Sequence, residues 1–310
     1  MITKIVYFNT WHNGDVFAMK GYMHAVQKQL PHISFAFAHG YSPKLIQDLG
    51  FEHMSITQVP AEATADRFTV IADTLYVNTW VGKYMDLFEV GQKHSNYKTL
   101  HGIWNVMNQE FSAQFSLELS DFTDPLDYIP TTQWTQFEIN AADDFISQYP
   151  NYIVVCNGLV RSEQSDLGLM QNIITSLAEQ YPDKQIVCTA KFTTETPNIR
   201  FTDDIFSSTT NGDLNEIAYL STCAEMIIGK NSGPYMFAHT RDTMFNPDIK
   251  FLSLSQRPTD SYPYSCDGFN CQYFHHSQAH SERIFNIIVA IMEDQIQALP
   301  GKMTLVEYQD

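Results

Sequence analysis

The sequence predicts an α/β protein made of two doubly wound parallel-sheet domains. Three observations carry that expectation. Short β-branched and aromatic runs, such as residues 5–9 and 152–156, alternate with stretches whose apolar residues recur at helical spacing. The strand, polar turn and helix that open the chain are followed by a second copy of the same pattern near residue 150. The 310 residues also exceed the usual size of a single hydrophobic core, which favours two domains of similar size.

Residues 5–9 (IVYFN) have the composition of a buried parallel strand, and residues 10–14 are a polar, glycine-containing turn. From Asp15 the period changes: Met19, Tyr22, Met23, Val26 and Leu30 share one helical face, with Lys20, Gln27 and Lys28 on the other. Residues 34–38 predict a second strand, 43–49 a short helix ended by Gly50, and 54–59 and 69–77 two further strands. The pattern from 78 to 128 is less regular, with a helix over roughly 101–111. Its aromatics, Trp104 and Phe111 among them, read as core and carry no cofactor meaning.

Residues 128–140 are polar and proline-bearing, and the inter-domain crossing is placed there, giving domains 1–140 and 141–310. The second domain predicts helices at 141–149, 167–181, 213–222, 235–240 and 281–297. Its strands are placed at 152–156, 185–190, 199–201, 225–229 and 250–255. The tail from 300 to 310 has no assigned place, and no fixed-period repeat is present.

A formal charge of −17, from 35 acidic and 18 basic side chains, excludes a surface built to neutralise nucleic-acid phosphates. It also argues against tight adhesion to anionic membrane. No apolar stretch approaches the length of a membrane span, and residues 1–4 run straight into the first strand without a signal peptide. Five cysteines, an odd number, suggest reduced thiols, so the expected compartment is cytoplasmic. Cys266, Cys271, His275, His276 and His280 lie close together without a zinc spacing, equally consistent with a polar loop, and no metal site or cofactor is assigned.

Asp15 falls at the carboxyl end of the first strand and at a helix start, where open α/β sheets place their ligands. It suits two roles: a helix N-cap, and, with His12, Asn13 and Gly14 beside it, a general base for an acceptor hydroxyl. The turn at 229–234 (GKNSGP) joins a strand to a helix start. Lys230, Asn231 and Ser232 offer donors there, and Gly233 permits close backbone approach, which makes a seat for a diphosphate. The same turn is also compatible with an ordinary βα connection. The loops after residues 156 and 189 add Arg161 and Lys191, and in a parallel sheet all three loops converge on one edge. GxSxG and HExxH are absent, which leaves hydrolase and metalloprotease templates without support.

The opening KIVYFNTWHNGDVFAMKGYMHAVQKQLP and the later IIGKNSGPYMFAHTRD resemble the heptosyltransferase-type glycosyltransferases of the GT-B fold. Gly14-Asp15 falls where that family has its catalytic aspartate. Asn231, Ser232 and Gly233 match its (Asp/Asn)-(Ser/Thr)-Gly turn. Asn231 replaces the usual aspartate, and Gln164 and Asp166 stand where a lysine usually follows the arginine. The resemblance implies two Rossmann-like domains facing a cleft, the first taking an acceptor (Asn13, Gly14) and the second a nucleotide-diphosphate sugar. It further implies inverting, metal-independent transfer with Asp15 as base and His12 as helper, no cofactor, and a glycan or lipid-linked acceptor. Two alternatives stand beside it. One is a sugar-nucleotide epimerase of the same fold using Glu195 or His239, and the other is a nucleotide-sugar-binding protein without turnover.

Overall fold

The computed structural model of the chain describes residues 1–10, 13–84, 100–120, 139–158, 170–206, 213–230, 232–254, 269–276, 281–299, 301 and 303–306. Two compact units are present, one within Met1–Thr132 and one formed by Gln133–Tyr262 with Asp267–Asp310.

The amino-terminal unit holds strands β1 (Lys4–Phe8), β2 (Ser34–His39), β3 (Glu52–Ser55), β4 (Phe68–Ile71) and β5 (Thr74–Asn78) in the order β3-β2-β1-β5-β4. All pairings are parallel except β4 with β5. Alternation along β1 sends Val6 and Phe8 into a cluster with Ala36, Ala38, Val59 and Ala63. Tyr7, on the other face, stacks with Phe35 and Phe51. Helix α1 (Asn13–Gln29) buries Phe17, Met19, Tyr22, Met23 and Val26. It also buries Lys20, whose ammonium lies 2.7 Å from Asp48 Oδ1 of the 3-10 helix Pro43–Leu49, both side chains 1% exposed. Helix α2 (Leu100–Phe115) adds Trp104, Met107 and Phe111 to the core.

The carboxyl-terminal unit is a seven-stranded, wholly parallel sheet ordered β12-β11-β10-β9-β6-β7-β8. Its strands are β6 (Tyr152–Cys156), β7 (Gln185–Cys188), β8 (Ile199–Phe201), β9 (Met226–Gly229), β10 (Lys250–Leu254), β11 (Gln272–His276) and β12 (Met303–Leu305). Its main helices are α3 (Ile139–Gln148), α4 (Met170–Gln180), α5 (Leu214–Ser221), α6 (Gly233–Phe237) and α7 (Ser281–Met292). The central strands β6, β9 and β10 are buried along their whole length, as expected of a sheet covered on both faces. On one face Ile153, Val155, Ile186 and Ile228 pack against Ile173, Ile174 and Leu177 of α4 and Ile284, Ile287, Ile288 and Ile291 of α7.

Four sequence expectations change. The single strand at 69–77 is a hairpin, because the chain reverses at Ala72 and Asp73, Ala72 taking φ +56°. The stretch 271–276 is buried sheet rather than polar loop, and the tail contributes β12 beside it. His276 Nδ1 bonds the Val306 carbonyl at 3.0 Å. Among the described residues no group of histidine, cysteine or carboxylate side chains could hold a metal ion; Cys266 and His280 lie outside them. Finally, α7 stops at Met292 because the buried Lys250 ammonium reaches the Ile291 carbonyl (3.0 Å) and Asp294 Oδ1 (2.7 Å), satisfying the helix end. Among the described residues no helix is long and apolar enough to cross a membrane.

Candidate functional site

In the five-stranded sheet the chain winds from β1 towards β2 and β3, then returns to place β5 on the other side of β1. The point of reversal therefore lies between β1 and β5, the position at which open parallel sheets leave a crevice. Asn9 and Thr79 close it. The Asn9 side-chain amide donates to Thr79 Oγ1 (3.3 Å), while the Thr79 hydroxyl and N–H both donate to the Phe8 carbonyl, at 3.0 and 2.8 Å.

Helix α1 starts at Asn13, so Asp15 is the third helical residue and not the N-cap. A carboxylate in that first turn still faces the positive end of the helix. Asn13, Gly14 and Asp15 are partly buried, and Asn13 Oδ1 is buried without a hydrogen-bond partner. His12 lies outside the described residues. At the end of β2 the Tyr41 N–H donates to His39 Nδ1 (2.7 Å), which places the neutral ring's proton on Nε2. That nitrogen is buried and unpartnered. Burial, with a smaller contribution from the charge of His53, holds the His39 pKa down at about 4.

The seven-stranded sheet reverses between β6 and β9: β7 and β8 follow on one side, β10, β11 and β12 on the other. Cys156 and Gly229, the last residues of those strands, are register partners, so the loops leaving both strands start side by side. A Cβ on Gly229 would lie 2.2 Å from Tyr235 Cδ2, so glycine is needed there for the ring of α6 to close onto the strand. The Ser232 N–H turns back to the Lys230 carbonyl (2.7 Å) and tightens the loop. Ser232 occupies the N-cap position of α6 in extended conformation, and its hydroxyl makes no capping bond. It is buried with no hydrogen-bond partner. Lys230 is 6% exposed, Gly233 and Pro234 open the helix, and Asn231 lies outside the described residues.

The structure places Lys191 three residues beyond the end of β7, half exposed, with its ammonium 2.6 Å from Asp204 Oδ1. That hydrogen bond raises the Lys191 pKa above its ordinary value. Arg161 lies outside the described residues. The sequence offers Asn157 as a polar residue of the loop after Cys156 but not its partner: its side chain donates to the Ala190 carbonyl and accepts from the Ala190 N–H, both at 2.8 Å. The bridge depends on β6 and β7 lying side by side, which the local sequence does not give.

His239 does not stand ready for proton transfer. Its Nδ1–H donates to the Tyr235 carbonyl (2.7 Å), its Nε2 accepts from the Tyr273 hydroxyl (3.0 Å), and its ring stacks on Phe251. It is fully buried, and that burial lowers its pKa to about 4. Glu195 is an exposed loop residue. Cys156 and Cys188 are buried thiols whose pKa values burial pushes up, so neither is a nucleophile.

No protein-family model matches the chain, and no curated protein is similar to it in sequence. Solved structures do share its architecture. E. coli heptosyltransferase WaaC with ADP aligns with a TM-score of 0.51 at 12% identity, covering 94% of this chain and 100% of that one. A glycosyl transferase of family 9 from Veillonella parvula aligns with a TM-score of 0.38 at 13% identity over 84% of this chain and 83% of that one. UDP-GlcNAc 2-epimerase from Neisseria meningitidis, bound to UDP-GlcNAc, gives 0.40 at 8% identity over 94% and 91%. The chain therefore shares its architecture of two α/β units with WaaC: this protein has the two-domain GT-B fold and resembles a heptosyltransferase in architecture.

Proposed function

We propose that the protein is a glycosyltransferase that moves a sugar from a nucleotide-diphosphate sugar to an acceptor hydroxyl, with inversion and without a divalent ion. One observation carries the reading. The reversal point of the seven-stranded sheet sets the loop after Gly229 beside the loop after Cys156, with a buried lysine and an unpartnered buried serine hydroxyl in the former. Strand ends at a topological reversal, glycine, backbone N–H groups and fixed cations are the features that receive a diphosphate. The fold shared with WaaC, whose structure holds ADP, supports the same assignment.

On this reading Lys230, Ser232, Gly233 and Asn231 seat the diphosphate, and Arg161 and Lys191 carry part of its charge. Asp15 accepts the proton of the acceptor hydroxyl as its oxygen attacks the anomeric carbon. The bond from that carbon to the diphosphate oxygen breaks, and its electron pair leaves with the diphosphate. A single displacement of this kind inverts the anomeric centre. Asn13 and Gly14 border the acceptor, and His12 assists Asp15. Protein cations and amides take the role that a magnesium ion has in other transferases.

The test begins with thermal denaturation in the presence of ADP, GDP, CDP, UDP and their sugar conjugates, with and without EDTA. A ligand at a hundred times its dissociation constant stabilises the folded state by about 2.7 kcal/mol. The expected result is selective, EDTA-insensitive stabilisation that weakens in Lys230→Ala/Ser232→Ala. Asp15→Asn then leaves nucleotide binding intact and lowers turnover by roughly 10²- to 10⁴-fold, the usual contribution of a general base. No stabilisation by any nucleotide would end the transferase reading. Turnover of the donor alone, without acceptor, would replace it with an epimerase.

A further inference from the structure

We propose that Asn157 is a positioning residue for the diphosphate site, holding the loops after β6 and β7 at the separation the leaving group requires. The inference rests on the donor-site reading above. The ladder between β6 and β7 runs as far as Val155 and Cys188, and the Thr189 N–H adds one more bond to the Val155 carbonyl at 3.1 Å. Beyond that both chains leave the sheet as loops. At this point the Asn157 side chain takes the place of a backbone rung, its Nδ2 donating to the Ala190 carbonyl and its Oδ1 accepting from the Ala190 N–H, each at 2.8 Å.

The consequences reach both sides of the bridge. Gly158, the next residue, is held so that a Cβ there would meet Ala190 Cβ at 4.0 Å, which seats the start of the loop after β6 against the loop after β7. Lys191 directly follows Ala190, so the same pair of bonds sets where its backbone leaves the sheet edge. Cys156 is the register partner of Gly229, and the bridge therefore stands one residue from the strand end whose neighbour carries Lys230 and Ser232.

The chemistry demands an amide. One donor and one acceptor in a single plane match a peptide group, and no other side chain of this length offers both at neutral pH. An aspartate would set a carboxylate oxygen against the Ala190 carbonyl, whereas its protonated form has a hydroxyl donor and a carbonyl acceptor and restores the match. Asn157 touches no reacting atom on this account; it acts through Gly158 and Lys191.

Calorimetric titration of ADP, GDP, CDP and UDP into wild type, Asn157→Asp and Asn157→Ala, at pH 8 and pH 5.5, tests the proposal. Each affinity is compared with wild type at the same pH, and denaturant unfolding of each variant is measured alongside. At pH 8 both variants are expected to bind at least about tenfold more weakly. From pH 8 to pH 5.5 the aspartate variant recovers part of the loss, because the facing carbonyl raises its pKa, and the alanine variant recovers none. In a Lys191→Ala background the effect of Asn157→Asp shrinks, because coupled residues do not add. A loss of global stability alone would not produce that non-additivity. Binding by both variants within about threefold of wild type overturns the proposal, as does a loss that is equal with and without Lys191. If wild type itself binds none of the four nucleotides, the donor-site reading fails, and the positioning role fails with it.

Discussion

Lys191 sits half exposed with its ammonium 2.6 Å from Asp204 Oδ1, while Lys230 is 6% exposed in the loop that leaves β9 at the reversal point. The two cations therefore stand in different situations. A buried lysine beside backbone N–H groups acts in a low dielectric, where its field is strong. An exposed one is screened by water and salt, and its ion pair contributes little to stability. If Lys191 contacts the leaving diphosphate, the ligand has to displace the carboxylate of Asp204. Replacing Asp204 with asparagine removes that competitor without altering the shape of the loop. The expected result is nucleoside diphosphate binding several-fold tighter than in wild type by calorimetry, with an unchanged melting temperature. Unchanged or weaker binding would show that Lys191 is a surface cation and would leave Lys230 as the described cation of the site.

Helix α1 is anchored to the 3-10 helix Pro43–Leu49 by Lys20 and Asp48, each 1% exposed. Removing one partner of such a pair leaves an uncompensated charge in the interior, which costs about 3–5 kcal/mol. Lys20→Met is expected to lose that much in urea unfolding, and Lys20→Met/Asp48→Leu to regain most of it; a single-variant loss below about 1 kcal/mol would contradict the arrangement. The sequence shows Lys20 only as a polar-face residue, because its partner comes from another element. The same limit runs through the molecule. Runs such as residues 5–9 and 152–156 declare themselves by composition, and so do the helices whose apolar residues keep a 3.6-residue period. The hairpin at 68–78 does not, since Ala72-Asp73 is a weak turn signal inside an apolar stretch. Nor does β11, where two histidines mask a buried strand. Strand order is the largest gap. The loops carrying Lys230 and Asn157 can each be read locally, but the pairing of Cys156 with Gly229 and the bridge from Asn157 to Ala190 depend on which strands lie side by side.

Across the whole chain, 35 acidic side chains against 18 basic ones coexist with buried histidines, and the two populations respond to acid in different ways. His39 in the amino-terminal unit and His239 and His275 in the carboxyl-terminal unit are 3%, 0% and 1% exposed. Burial is the main cause that holds each of their pKa values down from 6.5 to about 4. Between pH 6.5 and 4 the unfolded chain therefore binds protons that the folded one refuses. Stability falls as pH drops through that window and is constant above it. Each histidine contributes a slope of up to about 1.4 kcal/mol per pH unit, so the three together approach about 4 kcal/mol per pH unit. The carboxylates act in the opposite sense, because neutralising a net charge of −17 relieves self-repulsion. Ordinary carboxylates titrate near pH 4, however, so between pH 6.5 and 5 the histidines dominate. Denaturant unfolding at pH 7.5, 6 and 5 should show stability level near neutrality and several kcal/mol lower at pH 5. Stability that held level or rose down to pH 5 would mean that these imidazoles gain protons inside the folded protein, the His239 Nε2–H then donating to the Tyr273 hydroxyl from which it now accepts.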